Sequence, residues 1–203
     1  MVSVAYLAGT IQLRGDTISI RPRLQALITP NGTTRTPVVR IESDHRRHPV
    51  LSAPQRQQTV DAIVHLTHPE ISPELQLDFD AQISERTFYH ELLAELHKRL
   101  PQAHLSITAL ASWCYGDDWL EDLPVDEAVP MLFRMGADGA SVRQLLATGA
   151  DFRSARCRQS IGLAVDEAVP VIPRGRRLYL FAPRSWSPDT YRTALSIAKR
   201  SAQ

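Results

Sequence analysis

Lysine is almost missing from this sequence: of its 23 basic residues only Lys98 and Lys199 are lysine, and the rest are arginine. Arginine forks bind carboxylates and phosphates in bidentate fashion, although a GC-rich genome produces the same bias. Cysteine is nearly absent as well. Cys114 and Cys157 are too few for a disulfide framework and fit no metal-ligand spacing. No apolar run approaches the roughly 18–20 residues that span a bilayer, and the segment Met1–Thr10 has neither a basic start nor a signal-like apolar stretch. The chain as it stands is therefore expected to carry no membrane span and no export signal. Charge of one sign is lacking too: the formal net charge is +1 and the isoelectric point about 7.9, so no bulk field draws it to nucleic acid or anionic lipid. What is present, 203 residues of which 43% are hydrophobic, fits a single globular domain over residues 1–203.

Apolar, β-rich segments recur at Val4–Gln12, Val38–Glu42, Leu75–Asp80, Leu105–Ser112, Val129–Met135, Ile161–Val165 and Arg177–Ala182. Helical patterns lie between several of them. Ser52 and Pro54 open one over Gln55–Leu66, and Ser84 opens Glu85–Leu100, where Phe88, Leu92, Leu93, Leu96 and Leu100 form an apolar stripe. Shorter helices are expected near Ser141–Thr148 and after Ser187-Pro188. Strands alternating with helices imply parallel strands, in a (β/α) barrel or an open doubly wound sheet. Arg14-Gly15-Asp16 instead reads as a hairpin turn, and Pro170–Arg176 is too short and proline-bearing for a helix. The expected fold is thus α/β, an irregular TIM-like (β/α) barrel. Seven strands in a fold that closes with eight further suggest that its first strand is absent.

The hexapeptide Val125–Pro130 recurs as Val165–Pro170. The first copy leads into an expected strand and the second follows one, so the copies are not expected to be equivalent.

The period of two in Leu75–Asp80 sends Leu75, Leu77 and Phe79 to one face, for helices to cover, and Gln76, Asp78 and Asp80 to the other. Buried charge needs partners. Arg40 and Glu42 share a parity on the preceding strand, and Arg134 offers another cation. These residues either form a site where strand ends converge or satisfy one another as a polar core. Trp113, Trp119 and Trp186 offer rings to stack on sugar faces, Trp113 being the better candidate and Trp119 reading as rim packing. Arg184 would bind an acidic substituent or an acidic loop.

Metal chemistry finds weak support in His45-x-x-His48 and His65-x-x-His68, which lack an identifiable third ligand. His65 and His68 suit a helix end, and His90 and His97 an exposed helix face. Cys114 follows a strand and Cys157 precedes one, so two free thiols at opposite barrel ends are expected.

The runs LQLDFDA from Leu75, LSITALASWC from Leu105, DWLEDLPVDEAVPMLFRMG from Asp118 and RRLYLFAPRSW from Arg176 resemble the uncharacterised bacterial family named domain of unknown function 3142. The likeness runs from about Ala5 to Trp186. In that family an aromatic-rich strand lies ahead of the point where this chain begins, and many members carry export signals; the resemblance therefore implies export if the true start lies upstream. The family's Asp-x-Asp strand is similar to that of chitinase-related glycoside hydrolases, whose pattern reads Asp-x-Asp-x-Glu. The aspartates map onto Asp78 and Asp80, and the general acid maps onto Gln82, an amide that cannot donate its proton as an acid. Another acid is then required, with Glu42, Asp117, Asp118 and Glu167 as candidates. Two same-face residues on one strand lie only about 7 Å apart at Cα and cannot alone flank a scissile bond.

The resemblance implies a glycoside-hydrolase-like protein acting on polysaccharide without a cofactor. Asp78, Asp80 and Glu42 are the catalytic candidates, and Arg40, Gln76, Trp113, Arg134, Arg184 and Trp186 the substrate-binding ones. The alternatives are a noncatalytic carbohydrate-binding or interaction module, and an incomplete barrel that self-associates through open strand edges.

Overall fold

Leu13, Ile11 and the small Gly9 alternate with Gln12 and Thr10 to make the end of a long strand, β1 (Val4–Arg14), which reverses into antiparallel β2 (Thr17–Pro22). Gly15 takes φ 55° at this turn, a left-handed conformation that glycine adopts without steric cost. The expected hairpin is present, and its return limb forms a strand of its own. The structure is a computed structural model that describes residues 2–68 and 72–201. Among the described residues the chain is α/β, with eight mostly parallel strands and five α-helices. It forms two compact units, one containing residues up to Thr108 with Leu123–Asp126, the other containing Ala109–Asp122 with the residues from Glu127 onward.

In the first unit, β3 (Arg35–Ser43) runs parallel to β1 on the side away from β2. β4 (Glu74–Asp78) and then β5 (His104–Leu110) follow in parallel. Helix α1 (Ala53–Thr67) joins β3 to β4, and α2 (Arg86–Arg99) joins β4 to β5. Helix α1 begins where expected: Ser52 Oγ accepts the Gln55 N–H and Pro54 sits in the first turn. On α2, Phe88, Leu92, Leu93 and Leu96 are buried as one stripe, together with Tyr89. The strands contribute Ile11, Leu13, Val39, Ile41, Leu75, Leu77 and Ile107 to the buried core. Arg56 of α1 binds Glu91 and Glu95, one helical turn apart on α2, at 2.5 Å each.

A bulge interrupts β1, since Leu7 pairs with Val38 but Gly9 with Val39, leaving Ala8 as the extra residue. A Cβ on Gly9 would lie 2.9 Å from Leu66 of α1 and 3.1 Å from the Arg21 carbonyl oxygen of β2. Leu66 can turn aside; the carbonyl cannot. Gly9→Ala is therefore expected to cost about 1–3 kcal/mol, read from the urea midpoint, and an unchanged midpoint would show that β1 relaxes freely.

In the second unit, β6 (Glu127–Met131), β7 (Ser160–Ala164) and β8 (Arg177–Phe181) lie side by side and parallel. Helix α4 (Gly139–Ala147) joins β6 to β7, no helix joins β7 to β8, and α5 (Pro188–Ser201) follows. The strand expected over Leu105–Ser112 stops at Leu110, and Ala111–Gly116 forms a short helix, α3. An apolar run such as Ala-Ser-Trp-Cys fits either state, and periodicity cannot separate them. The first hexapeptide copy enters β6 and the second follows β7, so the two are not equivalent.

The cysteines correct the expectation of two free thiols: Cys114 and Cys157 form a disulfide within the second unit, with Cα atoms 5.9 Å apart. The expectation failed because α3 starts directly at Ala111 and carries Cys114 away from the strand end. The Cys114 carbonyl accepts the Arg153 N–H, so the segment leading to Cys157 runs alongside α3.

Candidate functional site

β4 alternates as its sequence demands. Leu75, Leu77 and Phe79 are buried, and the Phe79 ring meets Tyr89 of α2 edge-on at 5.1 Å, so the helix side is the apolar one. Asp78 and Asp80 take the opposite face. Register then gathers the charges, because Arg40 lies directly opposite Asp78 on β4 and opposite Thr10 on β1, while Thr10 in turn faces Arg21 of β2.

Every oxygen of Glu42 and Asp78 is engaged. Arg40 Nε lies 3.0 Å from Glu42 Oε1 and 3.9 Å from Asp78 Oδ2. An Arg21 guanidinium nitrogen lies 3.0 Å from Glu42 Oε2, and Thr108 donates its hydroxyl to Asp78 Oδ1 at 2.7 Å. Glu42 is thus held between two guanidinium groups and Asp78 between a guanidinium and a hydroxyl, a charge-assisted arrangement.

Asp80 differs. Just past the end of β4 it stays reachable by solvent, and no hydrogen bond or ion pair reaches its carboxyl group among the described residues. Packing around it and the neighbouring Asp78 charge push its pKa up, opposed by Arg40. The buried Tyr89 hydroxyl is pushed well above its ordinary range, first by desolvation and then by Asp78 and Asp80, and so remains protonated.

Three contributors were missed in the sequence. Thr108 shares Asp78's face one strand on, and Arg21 lies across the hairpin from Thr10; both were open to the same parity argument. The third is Glu85, buried at 5% exposure. It accepts the Ser43 hydroxyl on one oxygen and the Gln82 N–H on the other, the latter at 2.7 Å. A glutamate three residues after Gln82 has capping-box spacing, which was the available signal. Glu85 straps the end of β3 to the turn that follows Asp80, and Gln82 itself is exposed.

Other candidates have different surroundings. Gln76 is buried and donates to Ser106 Oγ at 3.2 Å, so it braces β4 against β5 and is closed to a ligand. Trp113 is only 4% exposed and packs edge-on against Trp119 with ring centroids 4.9 Å apart. This corrects the expectation for Trp113, which α3 turns into the core of the second unit, whereas the half-buried Trp119 packs against it. Arg134 does not serve Asp78 or Asp80: its guanidinium lies 3.4 Å from Asp166 and 3.9 Å from Glu167, both in the second hexapeptide copy. That pairing also occupies Glu167. Asp118 pairs with Arg153 at 2.8 Å, and Asp117 accepts the Trp119 N–H. Arg184 and Trp186 are exposed beyond β8, Trp186 by 52%. His90 and His97 lie on the exposed face of α2, and the His65 and His68 rings sit 6.0 Å apart at the end of α1.

No protein-family model matches the chain, and comparison with curated proteins finds no significant match. The resemblance drawn above rests on its motifs alone.

Proposed function

We propose that this chain is a glycoside-hydrolase-like protein, an irregular (β/α) barrel of the kind its motifs resemble, acting on polysaccharide at the carboxyl ends of β3 and β4. The observation that carries the reading is Asp80: in a cluster where Glu42 and Asp78 are held in ion pairs, it alone is unpaired and has its pKa raised. Carboxyl groups whose environments differ in this way divide the roles of acid and base. Asp80 gives its proton to the glycosidic oxygen as that oxygen leaves the anomeric carbon. Water adds to the carbon, and its proton passes to Glu42. Burial and then the Asp78 charge favour the protonated form of Asp80, and Arg40 fixes Asp78 and Glu42. The products are two sugar hydroxyls, and proton return from Glu42 to Asp80 through solvent closes the cycle.

Reducing-end release from a panel of polysaccharides, including chitin and peptidoglycan fragments, tests this. Release above a boiled control is expected. A second reading, a noncatalytic carbohydrate-binding module, is favoured by the two arginines on Glu42 and by Gln82, and sugar binding without any release would establish it.

A further inference from the structure

Beyond β3 lies a turn that the proposed chemistry does not use, His45-Arg46-Arg47-His48. We infer that it is an anion subsite and that the polysaccharide is an acidic one, carrying carboxylate or sulfate groups; this rests on the function proposed above.

The turn is built rather than loose. Asp44 spends one carboxylate oxygen on the N–H groups of Arg46 and Arg47, at 2.8 and 3.2 Å, and the other on Arg14 at 3.1 Å. Backbone hydrogen bonds from Asp44 N–H to Leu13, from Gly15 N–H to Arg47 and from Val50 N–H to Gly15 tie the turn to the β1–β2 hairpin. A turn ordered in advance loses little entropy when it binds.

Its charges are unspent. His45, Arg46, Arg47 and His48 are all exposed, and among the described residues none of their side chains makes a hydrogen bond or ion pair. Asp44 attracts Arg46 only across space, and Asp16, beside Gly15, makes no ion pair with them. Two guanidinium forks match the oxygens of a carboxylate or a sulfate. The turn also adjoins the proposed site. It begins three residues after Glu42, and the Ser43–Glu85–Gln82 strap binds its base to the segment that follows Asp80. A substrate with its scissile bond at Asp80 and Glu42 would extend a neighbouring acidic sugar over this turn. Ser43–Pro49 holds no Phe, Tyr or Trp, so stacking on nucleic-acid bases would fall to the two imidazoles and the guanidinium planes, and the oligonucleotide in the test below separates that ligand from an acidic sugar.

Fluorescence anisotropy of the full chain with labelled oligosaccharides tests the assignment. The probes are oligogalacturonate, bearing only carboxylates, κ-carrageenan oligosaccharide, bearing only sulfates, a neutral chito-oligosaccharide and an oligonucleotide of equal charge. The Arg46→Gln/Arg47→Gln variant should lose about tenfold or more in affinity for at least one anionic sugar while keeping its neutral-sugar binding and melting temperature. Whichever anionic sugar shows the loss identifies the anion. Wild type that binds neither anionic sugar, or a variant that binds them equally well, overturns the subsite. An oligonucleotide bound as tightly and lost equally would overturn the saccharide assignment. Hydrolysis is scored separately, so loss of anionic binding in a chain that hydrolyses nothing would fail the proposed function and leave the subsite standing.

Discussion

Asp80→Asn should remove reducing-end release almost completely, by about 10²–10⁴-fold, the usual contribution of a general acid, while leaving the protein at least as stable at neutral pH. The stability half follows from the direction of the pKa shift. Asp80 is raised in the folded protein above its ordinary 3.8. Below that value the carboxyl is protonated in both the folded and unfolded chain and adds nothing. As pH rises through the folded pKa, the unfolded chain has already released the proton more easily, so the native state carries a cost that persists to neutral pH. The amide carries no charge and escapes it. Melting temperatures of wild type and variant should therefore agree near pH 3.5 and, at pH 7, coincide or favour the variant. Asp78→Asn should behave in the opposite way, because it weakens the contacts to Arg40 and Thr108 and loses stability at pH 7. Should Asp80→Asn also unfold the protein at neutral pH, the cluster is structural and the proposed acid is wrong.

The second large effect is expected from the disulfide. Cys114 and Cys157 are separated by 43 positions, and closing a loop of that length removes enough unfolded-chain entropy to stabilise by about 4 kcal/mol. This is a large share of the roughly 5–15 kcal/mol that holds a typical domain. Both residues are fully buried, so Cys114→Ser also places a hydroxyl in the core and strands a thiol. Cys114→Ala/Cys157→Ala isolates the covalent contribution more cleanly. Urea unfolding of wild type with and without reductant, beside this double variant, measures it. Equal midpoints in all three would mean that the bond contributes nothing. A nonreducing peptide map checks the pairing itself.

What could be read in advance was local or governed by parity. The alternation of Leu75–Asp80, the stripe on α2, the Ser52 start of α1 and the Gly15 turn each depend on neighbours within a few residues, and all four are found. Arg40 was matched to Asp78 and Glu42 because adjacent parallel strands share a face. Parity within a strand does not say where a strand gives way to a helix, and that single boundary at Leu110 misplaced both Trp113 and Cys114. Arg134 was assigned to the aspartates on sign of charge alone. Its actual partners, Asp166 and Glu167, depend on how the loop after β7 folds, which no periodicity reports. The role of Glu85 is carried by its spacing of three after Gln82, a capping contact that strand parity does not report.

The two units are interleaved along the chain, and this limits how the protein can be cut and how it is made. The first unit needs Leu123–Asp126, where Asp126 exchanges hydrogen bonds with the Leu105 backbone through both its N–H and its carboxylate. The second unit needs Ala109–Asp122, which comes off the ribosome before that segment. A cut at the edge of either unit's main segment therefore leaves it incomplete: a fragment ending at Thr108 lacks the strip that closes β5, and one beginning at Glu127 lacks Cys114. During synthesis, at about 5–20 residues per second, the first unit can be completed as soon as Asp126 emerges. Helix α3 must meanwhile wait, with its thiol unpaired, until Cys157 has been added.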